Sequence, residues 1–140
     1  RSSFEVEITV KKDAIPLLHN FQFLKDRVID KSTDGEFASF TIPVRNRRDP
    51  VIDYLSEAFS LQIKQLVIEN IRSLEEWKFI RTIIGDAKIT DFVAKVDLAI
   101  FEKFDNEFHF FSSDLFSFLE NSSVKSLDLE TNRINPTNPR

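Results

Sequence analysis

Three stretches of this chain carry apolar residues in one order and at one spacing: Ile63, Leu66 and Ile68, then Val93, Val96 and Leu98, then Val124, Leu127 and Leu129. Corresponding positions stand 30 and then 31 residues apart. Each triplet fits a short strand with one buried face, and the interval leaves room for a helix between strands. The pattern therefore constrains the chain to a stack of strand-helix units. Phe37, Phe40 and Ile42 make a weaker fourth copy, 26 residues ahead of Ile63.

The last copy goes further, because Val124, Leu127, Leu129, Asn132 and Ile134 reproduce the leucine-rich pattern L-x-x-L-x-L-x-x-N-x-L. The period lies just beyond the roughly 20 to 29 residues of such repeats. Strand-helix-strand connections give parallel strands with helices outside. The expected fold is α/β: an irregular leucine-rich-repeat-like stack of strand-helix units with a largely parallel sheet, plus an N-terminal β strand or hairpin. An ordinary α/β sandwich with regular strand spacing is the competing arrangement. One domain over residues 1–134 and a tail over 135–140 account for the chain.

Phe4, Val6, Ile8 and Val10 alternate with polar residues, the signature of a strand with one buried face. Residues 21–28 read as a second strand antiparallel to it. Residues 37–42 read as a third, closed by Pro43, which lacks a backbone donor. Asp49-Pro50 starts a helix through Phe59 whose apolar stripe is Val51, Ile52, Leu55, Ala58 and Phe59. A strand over 61–68 leads to Ser73 and Glu76, spaced as a capping box, with Trp77, Ile80, Ile83 and Ile84 on one side of the helix and Gly85 ending it. A strand over 93–100 follows, then a helix capped by Ser112 or Ser113 and ended by Asn121, then a strand over 124–129. Trp77 and Leu127 are assigned to packing.

Composition narrows the chemistry. No apolar run approaches the roughly 18 residues that span a bilayer, so no membrane segment is expected. No basic-then-apolar leader is visible and there is no methionine, which reads as a piece excised from a longer protein, with a cytoplasmic location. The absence of cysteine removes disulfides, thiolate zinc sites and cysteine nucleophiles. A formal charge of −4 argues against a general nucleic-acid binder, and Arg45, Arg47 and Arg48 read as a solvated turn. Fifteen phenylalanines point to aromatic packing between layers. His19 and His109 stand in no metal spacing, and His109 reads as a partly buried structural residue. With glycine only at 35 and 85, no phosphate-binding loop can form. No catalytic, cofactor or metal residue is assigned. The alternative is a small α/β enzyme or ligand-binding domain with a pocket near residues 101–111.

If the apolar triplets point to the core, the residues between them point out of the sheet. Those are Gln65, Val67 and Glu69; Lys95, Asp97 and Ala99; and Ser126, Asp128 and Glu130. In repeat proteins the exposed strand face is the usual binding surface. All of these but Ala99 make up the expected contact face, and its acidic surplus implies a protein partner presenting a basic segment, unless the charges serve only solvation.

The extended N-terminal region, the helix VIDYLSEAF (51–59), the strand IKQLVIENI (63–71), the LEEWKF segment (74–79) and the closing FLENSSVKSLDL (118–129) together resemble the nematode-type F-box-associated domain, of the type-2 or FTH kind. The resemblance covers nearly the whole chain and rests on hydrophobic patterns. It implies a non-catalytic substrate-recognition region, with an F-box outside this chain binding a Skp-family adaptor of a cullin-based ubiquitin ligase. No F-box pattern precedes Phe4, a departure from the complete arrangement.

Overall fold

In the computed structural model, which describes residues 4–17, 29–32, 35–101 and 107–131, the opening alternation forms β1 (Phe4–Lys11) inside a six-stranded sheet. Phe4, Val6, Ile8 and Val10 are buried, as the pattern requires. A 3-10 turn (Lys12–Leu17) follows. The other strands are β2 (Ile29–Ser32), β3 (Phe37–Val44), β4 (Gln62–Ile71), β5 (Lys88–Val96) and β6 (Ser126–Thr131), in the order β2-β3-β1-β4-β5-β6.

The sheet is mixed rather than largely parallel. β2 with β3, β3 with β1, and β1 with β4 are antiparallel, and only β4-β5 and β5-β6 are parallel. The cause is local: β2 and β3 flank a turn at Gly35, whose φ of 66° suits glycine, and strands joined by a short turn must run antiparallel. β1 then lies between β3 and β4, so the weak fourth copy is not stacked on the others. Its members also divide: Phe40 and Ile42 register with Ile8 and Val6 on the core face, while Phe37 registers with Lys11 on the other. Pro43 opposes Glu5, beyond the point where β2 stops pairing at Thr41, so its missing donor interrupts no ladder on that side.

Helix α1 (Val51–Ala58) begins where Asp49 accepts from the amide of Val51 at 3.1 Å through Oδ1 and from that of Arg45 at 2.9 Å through Oδ2. Val51, Leu55, Ala58 and Phe59 are buried, which confirms the apolar stripe. Helix α2 (Leu74–Ile84) is capped by Ser73, whose hydroxyl accepts from the amide of Glu76 at 3.1 Å. The return arm is displaced by one residue: Glu76 Oε1 takes the amide of Arg72 at 2.9 Å, and Oε2 takes its guanidinium at 2.6 Å. Gly85 ends the helix at φ 57°, ψ −124°, where a Cβ would be strained.

Several boundaries move: β4 runs on from 68 to Ile71, β5 begins at Lys88 instead of 93, and β6 covers Ser126–Thr131 instead of 124–129. The strand expected over 93–100 stops at Val96, and Leu98–Phe101 forms a single helical turn, α3. Helix α4 (Glu107–Glu120) starts five residues ahead of Ser112, whose hydroxyl donates back to the carbonyl of Phe108 at 2.9 Å instead of capping. Asn121 does close it, its amide donating to Phe118. The strand expected over 21–28, His19, Asn132, Ile134 and the tail lie outside the described residues.

The three apolar sets do not align at the 30- and 31-residue intervals that the spacing suggested. Leu66 pairs with Phe92 and Phe92 with Leu127; Ile68 pairs with Ala94 and Ala94 with Leu129. The middle triplet is Ile89, Phe92 and Ala94, four residues ahead of Val93, Val96 and Leu98. All three members are buried in the core, whereas Val93 lies on the opposite face and Leu98 in α3. Phenylalanine and alanine stand where the spacing suggested aliphatic residues, to which Val93 and Val96 were the better match. Ser123 holds the register at the strand start, its hydroxyl accepting from the amide of Ile89 at 3.0 Å.

Trp77 is the hub of the core. It is fully buried, its ring meeting Phe111 at 5.4 Å, Phe118 at 5.9 Å and Phe92 at 6.2 Å between centroids. The first two contacts are edge-to-face, the favoured arrangement of aromatic quadrupoles. Phenylalanines thus join α2, α4 and β5, as the composition implied.

Candidate functional face of the sheet

The described helices pack on one face of the sheet through the core cluster, and the opposite face carries the alternate residues of every strand. Register lays these out in rows. One runs Ser39, Thr9, Gln65, Asp91, Ser126, and the next Thr41, Glu7, Val67, Val93, Asp128. In a third, Pro43 opposes Glu5, Glu5 opposes Glu69, and Lys95 opposes Glu130.

Seven of the eight expected contact residues belong to this face: Gln65, Val67, Glu69, Lys95, Ser126, Asp128 and Glu130. They are not equally accessible. Ser126, Asp128 and Glu130 are exposed, Gln65, Glu69 and Lys95 are half-buried, and Val67 is only 5% exposed. Val67 sits with Val93 in the interior of the sheet, flanked by Glu7, Gln65, Glu69, Asp91 and Lys95, and the pair forms an apolar floor rather than a contact. Asp97 is the eighth. It lies past the end of β5, its amide donating to the carbonyl of Ile71 at 2.8 Å, and Ala99 is carried off in α3.

Glu69, Lys95, Asp97 and Glu130 nevertheless converge. With Asn70, Val96 and Thr131 they line a cleft of about 400 Å³ at the carboxyl ends of the three parallel strands. Crevices at that end of parallel strands are where α/β sheets receive ligands. A bulge shapes the cleft: the β4-β5 register slips between Ile68 and Ile71, and Asn70 absorbs the extra residue at φ 63°. Asparagine tolerates that left-handed conformation better than most residues. The sequence held no signal for this slip beyond the asparagine itself.

Within the cleft Lys95 Nζ donates to Glu69 Oε2 at 3.2 Å. That hydrogen bond, with the fields of Glu69, Glu130 and Glu7, holds the ammonium above its usual pKa despite partial burial. Arg72 is likewise raised, by its bond to Glu76 and by the charges of Glu76 and Asp97. At the opposite end, Lys11, Asp13, Phe37, Gln62, Lys64 and Thr90 line a second cleft of about 400 Å³, with the Lys64 ammonium 5.2 Å from the centre of the Phe37 ring. Lysines thus mark one end of the sheet and carboxylates the other.

The remaining candidates behave as follows. Phe101 and Phe111 are fully buried with centroids 5.3 Å apart, and Phe108 packs on both at 5.7 Å, while the neighbouring Phe110 lines a cleft of about 550 Å³ with Leu74, Lys78, Ser113, Asp114 and Ser117. His109 is exposed on α4 rather than partly buried, because its side of the helix turns away from that cluster. Arg45, Arg47 and Arg48 are exposed, and Arg47 reaches over the Phe79 ring at 5.1 Å and toward Glu75 at 3.8 Å. Among the described residues there is no carboxylate-histidine cluster that could hold a metal, and no helix is long and apolar enough to cross a membrane. Comparison of the chain with protein-family models, curated proteins and solved structures finds no match.

Proposed function

We propose that this chain is a non-catalytic protein-recognition module whose carboxylate-bearing sheet face captures a basic segment of another protein. One observation carries the reading: Glu69, Asp97 and Glu130 line one cleft at the carboxyl end of three parallel strands, with Asp128 one row back on the same face, and Lys95 is already engaged by Glu69. Such a field attracts and orients a cationic segment, raising its encounter rate and excluding acidic partners. The register of Leu66 and Ile68 with Phe92 and Ala94, and then with Leu127 and Leu129, supports a leucine-rich-repeat-like stack over this half of the domain. Its unequal intervals make it an irregular one.

The resemblance to F-box-associated domains extends the proposal. The module would be the substrate-recognition region of a cullin-based ubiquitin ligase, joined to a Skp-family adaptor through an F-box outside this chain, in the cytoplasm. Affinity capture of the full-length parent from its own cells, with this 140-residue chain run alongside, tests it. Recovery of a Skp-family adaptor and a cullin with the parent but not with the chain supports the ligase assignment. Their absence from the parent removes it and leaves a recognition module with another host.

A further inference from the structure

We infer that the outer edge of β6 is the docking strand of this module, and that its occupant is an extended partner segment alternating basic and apolar residues, added as a seventh strand. The inference rests on the proposed recognition role and names the partner's chemistry.

Among the described residues β6 is the last strand of the sheet. Along the core face, Leu66 and Ile68 of β4 and Phe92 and Ala94 of β5 are fully buried, but Leu127 and Leu129 of β6 remain partly exposed although they pack on the same core. Among the described residues β6 pairs only with β5, and its own residues alternate exposed and half-buried along their length. An edge of unpaired amides and carbonyls is a template for another strand. Its six residues span about 20 Å, enough for a segment of similar length.

Charge selects the occupant. Asp128 and Glu130 alternate with Leu127 and Leu129, and all six residues of β6 lack a cation. A second copy adding through its own β6 would set carboxylate against carboxylate, which is unfavourable for directly opposed pairs. A strand with Lys or Arg on the open-face side and aliphatic residues on the core side satisfies both faces at once. It extends the Lys95–Glu130 row with a second cation and covers Leu127 and Leu129.

The test is fluorescence anisotropy of the intact chain with a labelled, end-blocked (Lys-Val)₄ peptide and two N-methylated forms, one carrying methyls on the lysine amides and the other on the valine amides. Each methylated form retains full charge but can pair along one edge only. Strand addition predicts that one form binds at least about tenfold more weakly than the other, the loss of several hydrogen bonds. It also predicts that Asp128→Lys/Glu130→Lys weakens the unmethylated peptide by a similar factor. Equal binding of the two methylated forms, or no binding of the parent peptide at millimolar concentration, overturns the docking edge. Equal binding that is lost in Glu69→Lys/Asp97→Lys/Asp128→Lys leaves the open-face reading standing, and equal binding that survives that variant removes both. A dimer of the chain that Glu130→Pro abolishes would make a second copy the occupant and overturn the assignment.

Discussion

The indole Nε1 of Trp77 donates to Asp114 Oδ2 at 2.6 Å, and Asp114 Oδ1 takes the guanidinium of Arg81 at the same distance. One carboxylate on α4 thereby satisfies the buried polar atom of the core's largest ring and ties down a charged residue one helical turn further along α2. Asp114→Ala leaves that N–H without an acceptor and should lower the free energy of unfolding by about 2 kcal/mol. Asp114→Asn keeps an acceptor for the indole and should cost about half as much. Urea unfolding followed by the fluorescence of the single tryptophan measures both.

Strand β5 offers a sharp contrast between neighbours. Phe92 is fully buried against Trp77 and Phe118, so Phe92→Ala should cost about 3 to 5 kcal/mol. Val93, one residue later, is buried on the other face of the sheet beside Val67, and Val93→Ala, which removes two methyl groups there, should cost about 1 to 2 kcal/mol. Ala94→Leu overfills the core and should cost about 1 to 3 kcal/mol. Equal costs at 92 and 93 in denaturant titrations would reject the register.

Glu76 is buried and serves the backbone amide and side chain of Arg72 while Ser73 caps its own amide. Glu76→Ala takes its carboxylate from both the guanidinium and the amide of Arg72 and should cost about 3 kcal/mol. Ser73→Ala should cost about 1 kcal/mol. The two groups share one helix end, so the double variant should lose other than the sum of the two, a difference that a double-mutant cycle reads.

Lys95 is the cation set among Glu7, Glu69 and Glu130, and its pKa is raised in the folded chain. A raised lysine pKa contributes stability that is fully present below the ordinary value of 10.5 and is lost as pH climbs through the folded value. The pair with Glu69 is partly exposed, so Lys95→Met should cost at most about 1 kcal/mol at neutral pH, and that deficit should vanish above the folded pKa. The same substitution removes the local counter-charge and should tighten binding of a lysine-rich peptide at neutral pH. Chemical denaturation across pH 7 to 11.5 and peptide titration at pH 7 check the two effects.

Much of the fold was legible where burial has a simple period. β1 follows from strict alternation, α1 from Asp49 and its stripe, and α2 from Ser73, Glu76 and Gly85. The stacking of β4 on β5 and β6 was also visible as a pattern, but its middle register was hidden because alanine and phenylalanine replace the aliphatic residues. Antiparallel pairing of β1 with both β3 and β4 depends on contacts between residues far apart in sequence, which no local spacing encodes. Seven of the eight face residues were reached because Lys95 keeps the right parity even in the shifted register. Asp97 was not, since the strand ends one residue before it.

The central claim is that the acidic strand face recognises a basic segment, and the most direct measurement is the affinity of an identified partner for Glu69→Lys/Asp97→Lys/Asp128→Lys. Circular dichroism and tryptophan fluorescence must first show that the variant keeps the wild-type fold. The account predicts at least about a tenfold loss of affinity, with the wild-type interaction weakening as salt rises. Unchanged affinity in the folded triple variant would contradict it.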